Sequence, residues 1–162
     1  MKPLLTYYGG KQQLAGRIVG MMPEHRVYVE PFFGGGAVFF RKDPSPVEVI
    51  NDTNSELVNF YETVKRDFTS LEKEVMITLH SRDLHRKAKV IYENPDMFDG
   101  LKRAWAVWVM ANESYGSKLD ATFGYDRNGS TSQAIRRKRE SFTYEYAVRL
   151  QDVKIKCADT VR

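Results

Sequence analysis

Three consecutive glycines, Gly34-Gly35-Gly36, follow the β-rich run Val27-Tyr28-Val29-Glu30, and a carboxylate, Asp52, follows the next such run, Val47-Glu48-Val49-Ile50. Glycines after a strand let the backbone turn sharply and let a ligand approach closer than a Cβ permits, while the amides beyond them offer a positive dipole end. A carboxylate at the end of the following strand stands where an α/β fold sets an acceptor against ribose hydroxyls. The spacing is not the dinucleotide fingerprint. Gly34-Gly35-Gly36-Ala37 lacks its glycine order, and Phe32-Phe33 puts two aromatics where a pyrophosphate needs room. An adenosyl group without phosphates suits these residues better. Asp52 has a competing role as the N-cap of the helix that follows, which Asn54 or Ser55 can also fill.

The elements that must hold these groups follow from periodicity. Ala37 to Arg41 is expected to start a helix, and Asp43-Pro44-Ser45-Pro46 to break it, because proline fixes its own φ and drives the preceding residue out of the α region. In Glu56 to Arg66, residues Leu57, Phe60, Tyr61 and Val64 recur at helical spacing. The order strand, loop, helix, strand, acid, helix begins a doubly wound parallel sheet. Residues 67 to about 125 read as helical, with Leu101, Ala104, Trp105, Trp108 and Val109 three and four apart and both tryptophans as core anchors. Ser114 to Gly129 is rich in turn formers, and Asn128-Gly129 signals a hairpin if strands flank it. A helix over Gln133 to Leu150 and an alternating strand over Val153 to Cys157 complete the pattern. The α/β core is therefore expected at 1–62 and 151–162, with 63–150 inserted as a mainly helical unit.

Composition narrows the class. A chain of 162 residues, 42% hydrophobic and 12% aromatic, has enough apolar side chains for one core, alone or with a small insertion, and is neither disordered nor a fibrous repeat. No apolar run approaches a membrane span, and Met1 to Tyr8 lacks the h-region of a secretory signal, so a cytoplasmic protein is expected. The single cysteine, Cys157, forms no intramolecular disulfide and no cysteine zinc cluster, and His25, His80 and His85 are scattered, so no metal is expected. The net charge of +4 permits a polyanionic partner without requiring one.

Three strings carry a resemblance. Tyr7-Tyr8-Gly9-Gly10-Lys11, Val29-Glu30-Pro31-Phe32-Phe33-Gly34-Gly35-Gly36-Ala37-Val38-Phe39 and Asn51-Asp52-Thr53-Asn54-Ser55-Glu56-Leu57 resemble, in order and spacing, the first motifs of Dam-type DNA adenine methyltransferases. Residues 1–62 are strongly similar. The remainder is looser, through Ser114-Tyr115-Gly116, Phe123-Gly124 and Cys157-Ala158-Asp159. The resemblance implies a Rossmann-like core with an incomplete sheet that binds S-adenosylmethionine, an inserted helical subdomain that recognises DNA, and a bacterial or phage-infected cell as setting. It implies methyl transfer, without a metal, to the exocyclic amine of an adenine flipped from double-stranded DNA. By the same resemblance Tyr7 and Lys11 line the donor's methionine end, Phe32, Phe33, Gly34 and Gly36 form the loop beneath it, with Glu30 among the donor-binding residues. Asp52 takes the ribose and Asp159 lies near the adenine.

DNA requires phosphate contacts and base contacts. Arg136-Arg137-Lys138-Arg139 is the densest basic cluster and Arg82, Arg86, Lys87 and Lys89 a second, although four consecutive cations on a helix cannot all face one ligand. Within the family context Arg136, Arg137 and Arg139 are assigned to phosphate, and Arg127 and Asn128, at the expected hairpin tip, to base edges.

The family's chemistry also needs an Asp-Pro-Pro-Tyr motif, absent from this sequence. Asp43-Pro44-Ser45-Pro46 and Asn94-Pro95-Asp96-Met97 are the nearest strings. The chain is thus expected to supply donor and DNA binding and to be inactive alone. A truncated chain, a split enzyme completed by a second polypeptide carrying the motif, and a non-catalytic relative remain open, as does a non-enzymatic DNA-binding module. An incomplete sheet would leave an edge and apolar faces open to self-association, so a homo-oligomer is also considered.

Overall fold

The computed structural model describes residues 1–159; the last three residues of the expected core segment 151–162 lie outside the described residues. Strand β1 (Val27–Glu30) pairs in parallel with β2 (Val47–Asp52), Val27 opposite Val47 and Glu30 opposite Ile50. On the other side of β2 lies β3 (Lys154–Cys157), Val49 opposite Lys154 and Asp52 opposite Cys157. The result is a mixed α/β fold around a three-stranded parallel sheet with β2 at its centre.

After the short helix α1 (Ala15–Gly20) near the start of the chain, helix α2 (Ser55–Arg66) packs against β2 and β3. Of the possible caps, Asn54 starts it, its Oδ1 accepting from the Glu56 and Leu57 amides at 3.0 and 3.3 Å. Its spaced apolar residues Leu57, Phe60, Tyr61 and Val64 are all buried, and each such side chain contributes about 1.5 to 3 kcal/mol. The helices α3 (Phe68–Ile77), α4 (Arg82–Glu93) and α5 (Gly100–Glu113) continue from it. Helix α5 is the hub: Ala104 to Ala111 are all buried, and it packs on α2, α3 and α4. Trp105 donates from Nε1 to Thr78 Oγ1 at 2.7 Å, and Trp108 is fully buried. Among the described residues no helix is long and apolar enough to cross a membrane.

The two faces of the sheet differ. Tyr28, Glu30, Glu48 and Ile50 are buried, whereas the alternate residues Val27, Val29 and Val47 are exposed. On the buried face Glu48 receives Lys42 Nζ at 2.5 Å and a paired contact from the Arg149 guanidinium, whose carbon lies 3.7 Å from the Phe39 ring centre. Burial alone would raise the Glu48 pKa, but the hydrogen bonds from Arg149 and Lys42 outweigh it and hold the carboxyl below its usual range.

Three expected elements differ. Ala37 to Arg41 forms successive turns, Phe40 N–H bonding to Gly36 O and Lys42 N–H to Val38 O, and no helix. Gly36 with its left-handed φ of +68° before this segment and Pro44 after it leave length for little more than successive turns, in which Ala37, Val38, Phe39 and Phe40 are all buried. The expected helix Gln133 to Leu150 is two, α6 (Ser130–Glu140) and α7 (Glu145–Leu150). Phe142 between them turns inward and stacks on Phe68 with centroids 5.0 Å apart, a stronger demand than continuity of α6, which buries Ile135 alone. The hairpin is replaced by a single antiparallel bridge, Ser114 with Phe123. Asn128-Gly129 leads into α6 instead, Gly129 sitting at the N-cap with φ +71°. Without flanking strands, the glycine serves a helix start.

Candidate functional site

The carboxyl ends of β1 and β2 and the Gly34 to Gly36 loop enclose a cavity of about 300 Å3, with Tyr7, Gly10, Lys11, Phe32 and Asp52 in its wall. The loop is shaped by what glycine alone allows. Gly34 has φ +53° and Gly36 φ +68°. A Cβ on Gly34 would lie 3.1 Å from the Tyr7 ring, and one on Gly36 would lie 2.6 Å from Phe33 and 2.9 Å from Phe40. Gly34 therefore leaves room for Tyr7 against the loop, whereas Gly36 answers to the aromatic core below.

Asp52 fixes the loop from the opposite side. Its Oδ2 accepts the Gly34 amide at 2.8 Å and its Oδ1 the Asn54 amide at 3.0 Å. Because Asn54 caps α2, the carboxylate is spared that task, and each oxygen keeps a further lone pair for a ligand. Tyr61 closes the arrangement from below, donating its hydroxyl to Gly34 O at 3.0 Å. Burial, then the Asp52 charge, raises the Tyr7 pKa, so this ring lines the cavity as a neutral phenol.

Lys11 enters the same cavity, but its ammonium is already engaged. It bonds Glu30 Oε1 at 3.1 Å and Phe32 O at 3.3 Å, which leaves one of three N–H groups for a ligand anion. Glu30 is buried and takes the Tyr28 hydroxyl on its other oxygen at 2.7 Å. It acts on the cavity through Lys11. Phe33 is largely core, edge-on to Tyr61 at 4.7 Å and to Phe39 at 5.5 Å, while Phe32 is exposed.

Sequence reasoning missed Asn51. This side chain is buried at the centre of the sheet's carboxyl edge. Its Nδ2 donates to Pro31 O at 3.0 Å and Ala158 O at 2.9 Å, and its Oδ1 accepts the Ala158 amide at 3.0 Å. It thereby ties the chain beyond β1 to the chain beyond β3 and sets the backbone that leads into Asp159. The available signal was an amide directly after an apolar strand run, where a buried polar group needs partners.

Tyr7 also walls a second cavity, of about 450 Å3, with Tyr8, Asn54, Tyr92 and the segment 117–120. The two cavities are thus neighbours across one ring. The residues expected to read DNA lie elsewhere. Arg127 and Asn128 are exposed in the turn before α6, and Arg136 and Arg137 are exposed on that helix, Arg136 pairing with Glu140 at 3.6 Å. Arg139 departs from expectation. It is half-buried and donates to Thr78 O at 2.6 Å, bracing the end of α3.

A family model described as D12 class N6 adenine-specific DNA methyltransferase matches residues 7–161. The chain belongs to this family. The D12-class chain is similar to the type II methyltransferase M1.LlaDCHI of Lactococcus lactis, 35% identical over 125 residues, which is 64% of this chain and 44% of that protein. It is 32% identical over 126 residues to the DNA N-6-adenine-methyltransferase of Escherichia phage P1, covering 63% of this chain and 16% of the phage protein. It is 38% identical over 64 residues to the DNA adenine methylase of Escherichia coli, covering 40% of this chain and 23% of that one. The D12-class chain therefore spans less than half the length of each of these relatives. Membership in a methyltransferase family implies a methyl donor.

Proposed function

We propose that this chain binds S-adenosylmethionine in the cavity between Gly34 and Asp52 and contributes donor and DNA binding to methylation of the exocyclic amine of adenine. The observation that carries this is Asp52, clamped by the Gly34 and Asn54 amides with lone pairs left over at the end of the central strand. Bound there, the donor would supply an electrophilic methyl group. The residues' own work is positioning: Asp52 accepts from the ribose, the loop 32–36 gives a close floor, Tyr7 offers a neutral ring, and the third N–H of Lys11 meets a carboxylate. Asp159, held near by the Asn51 clasp, takes the adenine side. None of these groups transfers a proton.

Reacting atoms must come within about 3 to 3.5 Å, so the acceptor base has to occupy space continuous with the donor cavity. The cavity across Tyr7 supports that role, with rings on which a flipped base can stack. DNA is held by the exposed residues of α6 and the turn before it, Arg136, Arg137, Arg127 and Asn128. No Asp-Pro-Pro-Tyr string occurs in this sequence, so these residues are assigned donor and DNA binding and no group that acts in the transfer step.

Calorimetric titration with S-adenosylmethionine, and with ATP as a phosphate-bearing control, tests the reading. The donor should bind and ATP should not, and Asp52→Ala should weaken donor binding about tenfold to a hundredfold. Binding of ATP with no uptake of the donor would sink it.

A further inference from the structure

Outside both cavities, three rings lie in a row. The His80 ring, in the link between α3 and α4, stacks on Phe123 at 4.6 Å and 26°, and Phe123 lies nearly parallel to Tyr125 at 6.5 Å and 15°. The Arg82 guanidinium carbon is 5.6 Å from both the Phe123 and Tyr125 ring centres, within cation–π range of each. The row is fixed at its inner end. His80 Nε2–H donates to Gly124 O at 2.9 Å and its Nδ1 bonds Ser132 Oγ at 2.8 Å, which ties the loop at 123–125 to the start of α6. A further ring, His85, meets Phe123 edge-on at 5.7 Å. At the outer end Tyr125 is 66% exposed.

A large ring held parallel to its neighbours and left open to solvent is a platform. It has little conformational entropy left to lose when something flat settles on it. The charge around it selects the occupant. Arg82 stands beside the rings and Arg127 follows two residues on, while the intervening Asp126 is turned to the Ser130 hydroxyl and the Thr131 amide. Aromatic faces beside cations match a nucleobase with its phosphate, because every base has a π-face and stacking on it tolerates any sequence. An apolar protein partner would have no use for the guanidinium.

We propose that Tyr125, backed by Phe123 and His80 and flanked by Arg82, is a stacking platform for a nucleobase that has left the DNA helix stack. This rests on the DNA-binding reading above and is separate from both cavities. In an intact duplex base faces are covered by their neighbours, so the platform acts where a base is unpaired or displaced.

Fluorescence anisotropy at several salt concentrations tests it, using a labelled single-stranded oligonucleotide of mixed sequence, the matching duplex, and that duplex with one unpaired base. Tyr125→Ala should weaken binding about tenfold to the single strand and the bulged duplex and much less to the intact duplex. Tyr125→Phe should restore it, since the ring and not the hydroxyl stacks. The slope of log affinity against log salt should stay that of the wild type in both variants, because every cation that meets phosphate is still in place. Equal affinities of Tyr125→Ala and wild type for all three probes would overturn the platform while leaving salt-dependent DNA binding intact. A loss that Tyr125→Phe does not restore would likewise overturn it. If the wild-type chain shows no salt-dependent binding to any probe, the DNA-binding reading falls and the platform with it.

Discussion

At the carboxyl ends of β1 and β2, the polar side chains Glu30 and Asn51 are buried and Asp52 half-buried, and their atoms are mostly spoken for. Asn51 makes three hydrogen bonds, Asp52 holds two amides and Glu30 joins Lys11 to Tyr28. On α4 and α6 the charged side chains are mostly exposed and paired within a turn of their own helix, Asp83 with Arg86 and Lys87 and Arg136 with Glu140. Exposed pairs of this kind add little, being screened by water and salt, whereas a buried group stripped of its partner is costly. The cleft at the strand ends is therefore preorganised and intolerant. The exposed faces of α4 and α6 can give up their intrahelical partners at little cost.

The largest effect that would break this contrast is expected at Gly36. Alanine there must hold φ +68° and place its Cβ 2.6 Å from Phe33. Left-handed strain of about 1 to 2 kcal/mol and overpacking of about 1 to 3 kcal/mol combine. Thermal unfolding should fall by roughly 5 to 15 °C. Gly9 has φ +71° but open space around its Cβ position, so Gly9→Ala should cost the strain alone. Equal losses from the two substitutions would show that the aromatic floor beneath the loop yields freely.

Glu113 sharpens the comparison because it is a buried acid among the helices. It ends α5, buried, with Oε1 lacking a partner among the described residues and Oε2 receiving the Ser81 amide at a long 3.5 Å. Burial pushes its pKa up to about 8, against the opposing pull of the Ser81 amide and the Arg139 charge. The folded chain thus keeps a proton that the unfolded chain releases near pH 4.5. Stability from this group is fully present below that pH and declines toward pH 8, by up to about 1.4 kcal/mol per unit. Glu113→Gln, neutral throughout, should flatten the decline, its advantage over wild type growing between pH 5 and 8 in urea unfolding. Glu48 has the opposite sign: its lowered pKa stabilises above the ordinary carboxylate range and is lost on acidification, outside this window. A parallel pH dependence in wild type and Glu113→Gln would mean the carboxyl ionises without cost.

The same contrast governs what could be read in the sequence. Both opening strands, α2 and the glycine loop with Asp52 were legible, because β-branched runs, helical spacing and triple glycine each have one structural meaning there. Asn51 was not, since its three partners come from Pro31 and Ala158, far away in the chain. Elsewhere the local signals misled. Asn128-Gly129 suits a hairpin or a helix start, and only the absence of flanking strands decides. Ala37 to Phe40 has the apolar content of a helix, but between Gly36 and Pro44 it completes only successive turns. The basic run Arg136 to Arg139 looked uniform, yet Arg139 spends itself on Thr78.

That division within one helix supplies the smallest effect on stability and the clearest one on binding. Arg136 and Arg137 are exposed, and replacing both with glutamine should move stability by no more than about 0.5 kcal/mol. If they neutralise phosphates, DNA binding should weaken and the salt slope should fall by about 0.9 for each phosphate left without its cation, or about 2 for the pair. Arg139→Gln should behave in reverse, lowering stability by about 1 to 3 kcal/mol as Thr78 O loses its charged donor, with the slope nearly unchanged. Should the Arg136/Arg137 double variant keep the wild-type slope, those cations are only a solvated helix face, and the contrast would have to be redrawn around Arg127 and the α4 cluster.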